Sequence, residues 1–241
     1  MLEPKIDKTQ IAYLLNPEND ILTEFKAKAP GSFKHCEEVS SLCEKIGRVL
    51  QLDVDFLKII GQYHDIGKML APMYFSENQA KDSNIHDTLA PEISAYFIIS
   101  HVANSIAVLS TRVPNINNDI IRCISMHHGN SVLSLFHKLD KGEHEESVFR
   151  YPYAKPDNVY ACILMIVDIV EAKIRSLKSV NPDIDVVKEI RTIIDDLTVS
   201  TALDELTIKQ GRLITETLLS EYSAVDHKRV NYESITKENN V

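Results

Sequence analysis

Residues 159–177, "VYACILMIVDIVEAKIRSL", form a nearly unbroken apolar stretch with Asp168 in its middle. A helix that is apolar on every side belongs in a core. An unpaired carboxylate buried there is costly, so the fold must bring Asp168 a cationic partner or a metal ion. The chain is thereby constrained to build its hydrophobic interior around a polar centre.

The remaining elements read as helices. Asn16-Pro17 makes a turn, and a helix is predicted from Asp20 to Ala27, stopped by Pro30-Gly31. From Ser32 to Leu50, Val39, Leu42, Cys43, Ile46, Val49 and Leu50 recur at three- and four-residue spacing, which predicts an amphipathic helix. Further helices are predicted over 55–62, 91–110 and 118–128, with Pro91 in a first turn and Gly129 as a stop. Pro182 is expected to start another helix, running to Leu197, and one or two more should reach Asp226. No segment alternates with a period of two, there is no Trp, and Gly numbers only 7, so the expected class is all-α, a single helical bundle. Residues 71–87 and 137–158 read as long polar loops, of the kind that often carry function.

A formal net charge of −9 argues against long nucleic acid, whose affinity depends on Lys and Arg. A small phosphate ester held through bound cations stays compatible with that charge. The four cysteines, at 36, 43, 123 and 162, make no C-x-x-C pair and read as reduced, half-buried thiols. The polar start "MLEPKIDKTQ" does not read as a signal peptide. The most apolar alternative to a core helix, "ISAYFIISHVANSIAVL", is interrupted by His101, Asn104 and several Ser, so no run reaches membrane length. The expectation is a soluble, cytoplasmic chain with no membrane contact of its own. Its oligomeric state is open, a homodimer being one outcome.

Nine histidines are unevenly placed. His35 lies near a helix start, His64-Asp65 ends a helix, His101 sits inside an apolar one, and His127-His128 ends another. With Asp168 these make five His and two Asp at apolar or helix-end positions. Imidazole and carboxylate suit borderline divalent metals. One carboxylate can bridge two ions spaced to clamp the attacking and leaving oxygens of a phosphoryl displacement.

At these residues the chain resembles the HD-domain superfamily of metal-dependent phosphohydrolases. The order H…HD…H…HH…D is longer than the minimal H…HD…D set and is similar to that of two-metal members. The likeness is greatest to the cytosolic HD domain of seven-transmembrane HD receptors, the PgpH type, which hydrolyse cyclic di-AMP. It is carried by "NPENDILTEFKAKAPGSFKHCEEV", "YHDIGKM", "NIHDTLAPEISAYFIISHV", "HHGNSVLSLFHK", "FRYPYAKPDNVYACILMIVDIVEAKIRSL" and "AVDHKRVNY". Cys36 stands where that family has Ser, and Tyr153-Ala154 where it has Gly-Pro. The family's membrane-spanning parts have no counterpart in this sequence, so the chain reads as an excised domain or a stand-alone relative. Relatives that cleave cyclic di-GMP carry a Gly-Tyr-Pro signature after the His-His pair, and "HHGNSVLSLF" lacks it.

The resemblance implies a lead-in over residues 1–30, a phosphohydrolase domain over 31–226 and a polar tail over 227–241. It implies two divalent ions, iron or manganese. His35, His64, Asp65 and Asp168 would hold one, and Asp65, His101, His127 and His128 the other, with Asp65 bridging. A metal-bridging hydroxide would then open cyclic di-AMP to linear pApA, with Lys68 facing the phosphate to stabilise developing charge. The bland reading of Lys68 is a pair with a surface carboxylate. The alternative substrates are cyclic di-GMP or another nucleotide. The alternative class is a non-catalytic module that binds a nucleotide or a protein partner. His86-Asp87 reads either as support for the site or as a helix start. His137 and His144 read as non-ligands and His227 as structural. Arg150, Tyr151, Tyr153 and Asn78 either reach the phosphate and bases or belong to solvated loops.

Overall fold

The structure, a computed structural model, describes residues 2–80 and 84–237, with side chains described as far as residue 223. It is all-helical: ten α-helices, five short 3₁₀ turns and no strand among the described residues, only an isolated antiparallel bridge between Val132 and Arg150. The helices are α1 (Lys8–Leu14), α2 (Asp20–Lys28), α3 (Pro30–Leu50), α4 (Val54–Tyr63), α5 (Pro91–Arg112), α6 (Asn118–Ser125), α7 (Ser134–Leu139), α8 (Val159–Val180), α9 (Val186–Val199) and α10 (Ile208–Lys237).

Local chemistry explains most boundaries. Side chains of Asn19, Asp53, Asn117, Asn158 and Asp185 accept from backbone N–H groups in the first turns of α2, α4, α6, α8 and α9. Pro30 does end α2, but it also opens α3 two residues before the expected Ser32, because proline suits a first helical turn. α9 starts at Val186 rather than Pro182, since Asp185 is the residue whose carboxylate caps it. α6 ends at Ser125, so His127-His128 lies in the turn beyond the helix, not at its end as expected. Two short helices, α1 and α7, arise where the sequence showed no apolar period; α1 is capped by Asp7. Asp226 and His227 lie outside the residues whose side chains are described.

The core is continuous. α3 contributes Phe33, Cys36, Val39, Cys43 and Ile46, α4 contributes Phe56, Leu57, Ile59, Ile60 and Tyr63, and α8 is buried from Val159 to Asp168. All four cysteines are free thiols as expected, but they are fully buried rather than half-buried, because each lies on the inner face of its helix. α2 joins the same core through Ile21, Leu22 and Phe25, and Tyr63 Oη donates to Leu14 O (2.9 Å) while accepting from Asn19 Nδ2 (2.7 Å). α5 is long and apolar enough, by length and composition, to cross a membrane, contrary to the expectation that no segment was. The polar residues that interrupted the apolar run lie partly on its inner face: Ser94, His101 and Ser105 are all buried.

One close approach fixes how the turn after α4 meets α5. The turn after α4 runs onto α5, where Gly67 N–H donates to Ser105 Oγ (2.9 Å). A Cβ at Gly67 would collide with the His101 carbonyl and the Ser105 nitrogen. Glycine is required there by space, and that contact lays His64-Asp65 against His101.

Candidate metal centre

Five elements converge on one polar centre. α3 supplies His35, the end of α4 supplies His64 and Asp65, α5 supplies His101, the turn after α6 supplies His127 and His128, and α8 supplies Asp168. All seven residues predicted as ligands are brought together, in two groups that share Asp65: His35, His64, Asp65 and Asp168, and Asp65, His101, His127 and His128. In each group the candidate ligand atoms lie within 4.8 Å of one another. Six of the seven are buried; His128 is partly open, with 23% of its side chain accessible.

The carboxylate of Asp65 divides its oxygens between the groups. Its Oδ2 lies 3.3 Å from His64 Nε2 and 3.6 Å from His35 Nε2. Its Oδ1 lies 3.1 Å from His101 Nε2 and 3.7 Å from His127 Nε2. Asp168 Oδ1 faces the first group, 3.0 Å from His35 Nε2 and 3.6 Å from His64 Nε2, while its Oδ2 is 4.0 Å from His128 Nδ1.

The imidazoles are oriented from behind. Nδ1 of His64, His101 and His127 each meets the backbone carbonyl three residues earlier, of Gly61 (2.9 Å), Ile98 (2.5 Å) and Ile124 (2.6 Å). A carbonyl only accepts, so each Nδ1 carries a proton, and Nε2 is the nitrogen that each ring turns inward. His35 uses a carboxylate instead: its Nδ1 contacts Glu171, whose Oε1 accepts from Arg175 Nε at 2.9 Å. This is the outer-shell arrangement seen around ligating histidines.

These residues fit a pair of divalent cations. His64 Nε2 and Asp65 Oδ1 are buried without a hydrogen-bond partner, and His101 Nε2 and His127 Nε2 face each other at 3.2 Å. Inward lone pairs of that kind repel unless a cation or proton lies among them. In the absence of a cation the carboxylates hold protons among these rings: burial opposes charge on His64, but Asp65 raises it well above the usual histidine value, and a cation would displace that proton. Burial disfavours charge on Asp65 and Asp168, yet the neighbouring imidazoles, and Lys68 for Asp65, hold both carboxyls well below their usual range. Burial opposes charge on His35, but Asp168 and Glu171 raise it to about 10. Burial, reinforced by His64 and His101, pulls His127 down to about 3, so it stays a neutral donor.

Lys68 is not on the surface. Its Nζ is 2.7 Å from Asp65 Oδ2 and 3.0 Å from Glu77 Oε1, over the Phe75 ring. Burial opposes its charge, but Asp65 and Glu77 hold it well above the usual lysine value. Glu77 was not anticipated, and neither was Glu171. The one available signal for Glu171 was its place three residues after Asp168 in the same apolar run.

The other candidates sort clearly. Tyr151 is buried, with its ring 4.4 Å from that of His128, and walls the centre. Asn78 caps α3: its Oδ1 accepts from Gly31 N (2.9 Å) and Ser32 N (3.2 Å). Arg150 Nη1 donates to Asn130 O at 2.6 Å and its guanidinium also pairs with Glu146. His86 Nε2 donates to Tyr74 O (2.9 Å), and the His137 ring rests on Phe149. His144 Nδ1 donates to Asp140 (2.7 Å), away from the two groups, with Glu92 nearby. A cavity of about 300 Å³ adjoins His128 and is lined by apolar Met165, Ile169 and Leu197 together with polar Asn130, Ser131 and Lys155.

The family model described as HD domain covers residues 32–173. The cyclic-di-AMP phosphodiesterase PgpH of Bacillus subtilis (strain 168) is 33% identical over 230 residues, 93% of this chain. PgpH of Listeria monocytogenes serotype 1/2a (strain 10403S) is 31% identical over 233 residues. The chain spans only 32% of the length of each of these relatives. The crystal structure of the L. monocytogenes PgpH HD domain superposes with a TM-score of 0.78 at 31% identity, covering 86% of this chain and 99% of that one. The same domain in complex with cyclic-di-AMP also gives 0.78, at 30% identity.

Proposed function

Starting from the fact that this chain belongs to the HD domain family, we propose that it is a metal-dependent phosphodiesterase that hydrolyses cyclic di-AMP to linear pApA. The observation that carries the reading is the division of Asp65: one buried carboxylate presents Oδ2 to one His/Asp group and Oδ1 to a second. Two adjacent cation sites joined by a carboxylate are the arrangement that phosphoryl displacement uses.

In this reading His35, His64, Asp65 and Asp168 hold one ion, and Asp65, His101, His127 and His128 the other. Two divalent ions held there, iron or manganese, would supply an acidified water and offset charge at phosphorus. The protein's own groups do the rest. Backbone carbonyls orient His64, His101 and His127, and Glu171 orients His35. Lys68, one hydrogen bond from Asp65, offers an ammonium to the phosphate as negative charge develops. Tyr151 closes the wall beside His128, and the cavity next to it is of a size and character to receive a base. The formal charge of −9 favours a small ester captured by cations over a polymer. The two PgpH relatives are named as cyclic-di-AMP phosphodiesterases, which supports the choice of adenine.

The test is chromatographic. Purified protein with Mn²⁺, or with Fe²⁺ under anaerobic conditions, is offered cyclic di-AMP and cyclic di-GMP separately, with Asp65→Asn as control. Appearance of pApA from wild type alone is the expected outcome. Faster consumption of cyclic di-GMP would transfer the assignment to that substrate. Turnover of neither, with two ions bound, would remove the cyclic-dinucleotide reading.

A further inference from the structure

His35 differs from the other oriented imidazoles. Helix backbone fixes His64, His101 and His127 through carbonyls three residues earlier, and no side-chain substitution can remove those acceptors. His35 has no such carbonyl partner at Nδ1. It is gripped at both nitrogens by carboxylates of α8: Asp168 at Nε2 (3.0 Å) and Glu171 at Nδ1. Asp168 and Glu171 are three residues apart, so they lie on one face of that helix.

Glu171 has no other evident task in the core. It is 2% exposed and surrounded by α3 and α8, a place where a carboxylate survives only with partners. Its partners are His35 on the inner side, Arg175 one turn along α8, and the carboxyl of Glu38 on α3. Behind the pair lies a cavity of about 700 Å³ between α3, α8 and α10, with Glu38, Arg175 and Tyr222 in its walls. The cavity does not include any of the seven candidate ligands.

We propose that Glu171 is a positioning residue for one ion only: it holds His35 in the tautomer and orientation that ligate, and Arg175 holds Glu171. This rests on the two-ion reading of the centre. The group built on His101, His127 and His128 does not depend on Glu171, so the two ions should respond differently to its loss. Outer-shell partners of this kind typically change metal affinity by about 10–100-fold.

The experiment is a metal titration without substrate, using Mn²⁺ on chelator-treated protein, read by calorimetry and by the magnetic coupling of the Mn pair. Wild type should bind two ions. Glu171→Gln, which keeps the shape and removes the charge, should weaken one binding step by about 10–100-fold and leave the other unchanged. Arg175→Met should weaken the same step, by less. His35→Ala should lose that step, and adding Glu171→Gln to it should change nothing more. Equal binding by Glu171→Gln and wild type would overturn the proposal. So would equal weakening of both steps, or a further loss in the His35→Ala background, because either outcome means Glu171 acts on general structure. Fewer than two ions on wild type would instead bring down the two-ion reading beneath it.

Discussion

Gly67 rests directly on His101: the turn that follows the His64-Asp65 pair packs so tightly against α5 that a side chain at Gly67 would occupy the space of the His101 carbonyl. The glycine of "HDIGK" is therefore a spacing element for the two halves of the centre. Gly67→Ala should force the turn away from α5, a cost of about 1–3 kcal/mol or more for overpacking against backbone. Denaturant unfolding should show that loss. Metal content should fall with it, because Asp65 and His101 would no longer face each other at 3.1 Å.

Lys68 and Asp65 offer a cleaner separation of charge from ligation. Removing the ammonium leaves Asp65 and Glu77 more negative, so cation binding should persist or tighten in Lys68→Met. Turnover should nevertheless drop by about 10²–10³, the usual loss when one preorganised electrostatic group is removed. The expected pattern in steady-state assays is a low kcat with KM little changed and two ions retained. A Lys68→Met variant with wild-type kcat would confine the lysine to pairing with Asp65 and Glu77.

The parts of this architecture that could be read from sequence are those with short-range causes. Asp168 announced itself because its own helix is apolar on both sides. His64-Asp65, His101 and His127-His128 stood at helix ends or in apolar surroundings; amphipathic spacing located α3, and apolar runs located α5 and α8, to within a few residues. Glu77 and Asn78 were not legible because their partners lie about 45 residues away on α3: Glu77 Oε1 accepts from Ser32 Oγ at 2.7 Å, and Asn78 replaces the cap that Ala29 cannot provide. Glu171 was not legible because the residue that gives it a role, His35, lies 136 positions away in the chain. Helices α1 and α7 are too short to show a period, and helices of that length draw their stability from tertiary packing.

Asn78 yields a prediction from that long-range cap. It satisfies two orphan N–H groups at the start of α3, the helix that carries His35. Asn78→Ala should destabilise the fold by about 1 kcal/mol, the typical cost of a lost cap. Asn78→Asp should recover part of it, since a carboxylate accepts from the same N–H groups and suits a helix N-terminus but cannot donate to Ser32 Oγ as Asn78 Nδ2 does (2.7 Å). Thermal unfolding of the three proteins would rank them. A loss of turnover in Asn78→Ala much larger than its loss of stability would point to contact with substrate instead.

Glu77 sets a pH dependence that can be isolated. Burial raises its pKa, but Lys68 and the Ser32 hydroxyl outweigh that and bring it from 4.5 to about 2. A carboxyl with a lowered folded-state pKa contributes stability above its unfolded value, and that contribution is lost as pH falls through the folded one. For Glu77 the window runs from about pH 4.5 down to about pH 2, and the contribution is about 3 kcal/mol at most. Asp65 and Asp168 shift in the same direction, so wild type should unfold steeply in acid. Glu77→Gln removes one of these titrations while keeping an acceptor for Ser32. Its stability at neutral pH should be lower, and its decline below pH 4.5 shallower, than that of wild type. Urea unfolding of chelator-treated protein at a series of pH values measures both. Parallel curves for the two proteins across that window would show that Glu77 is not held ionised by Lys68.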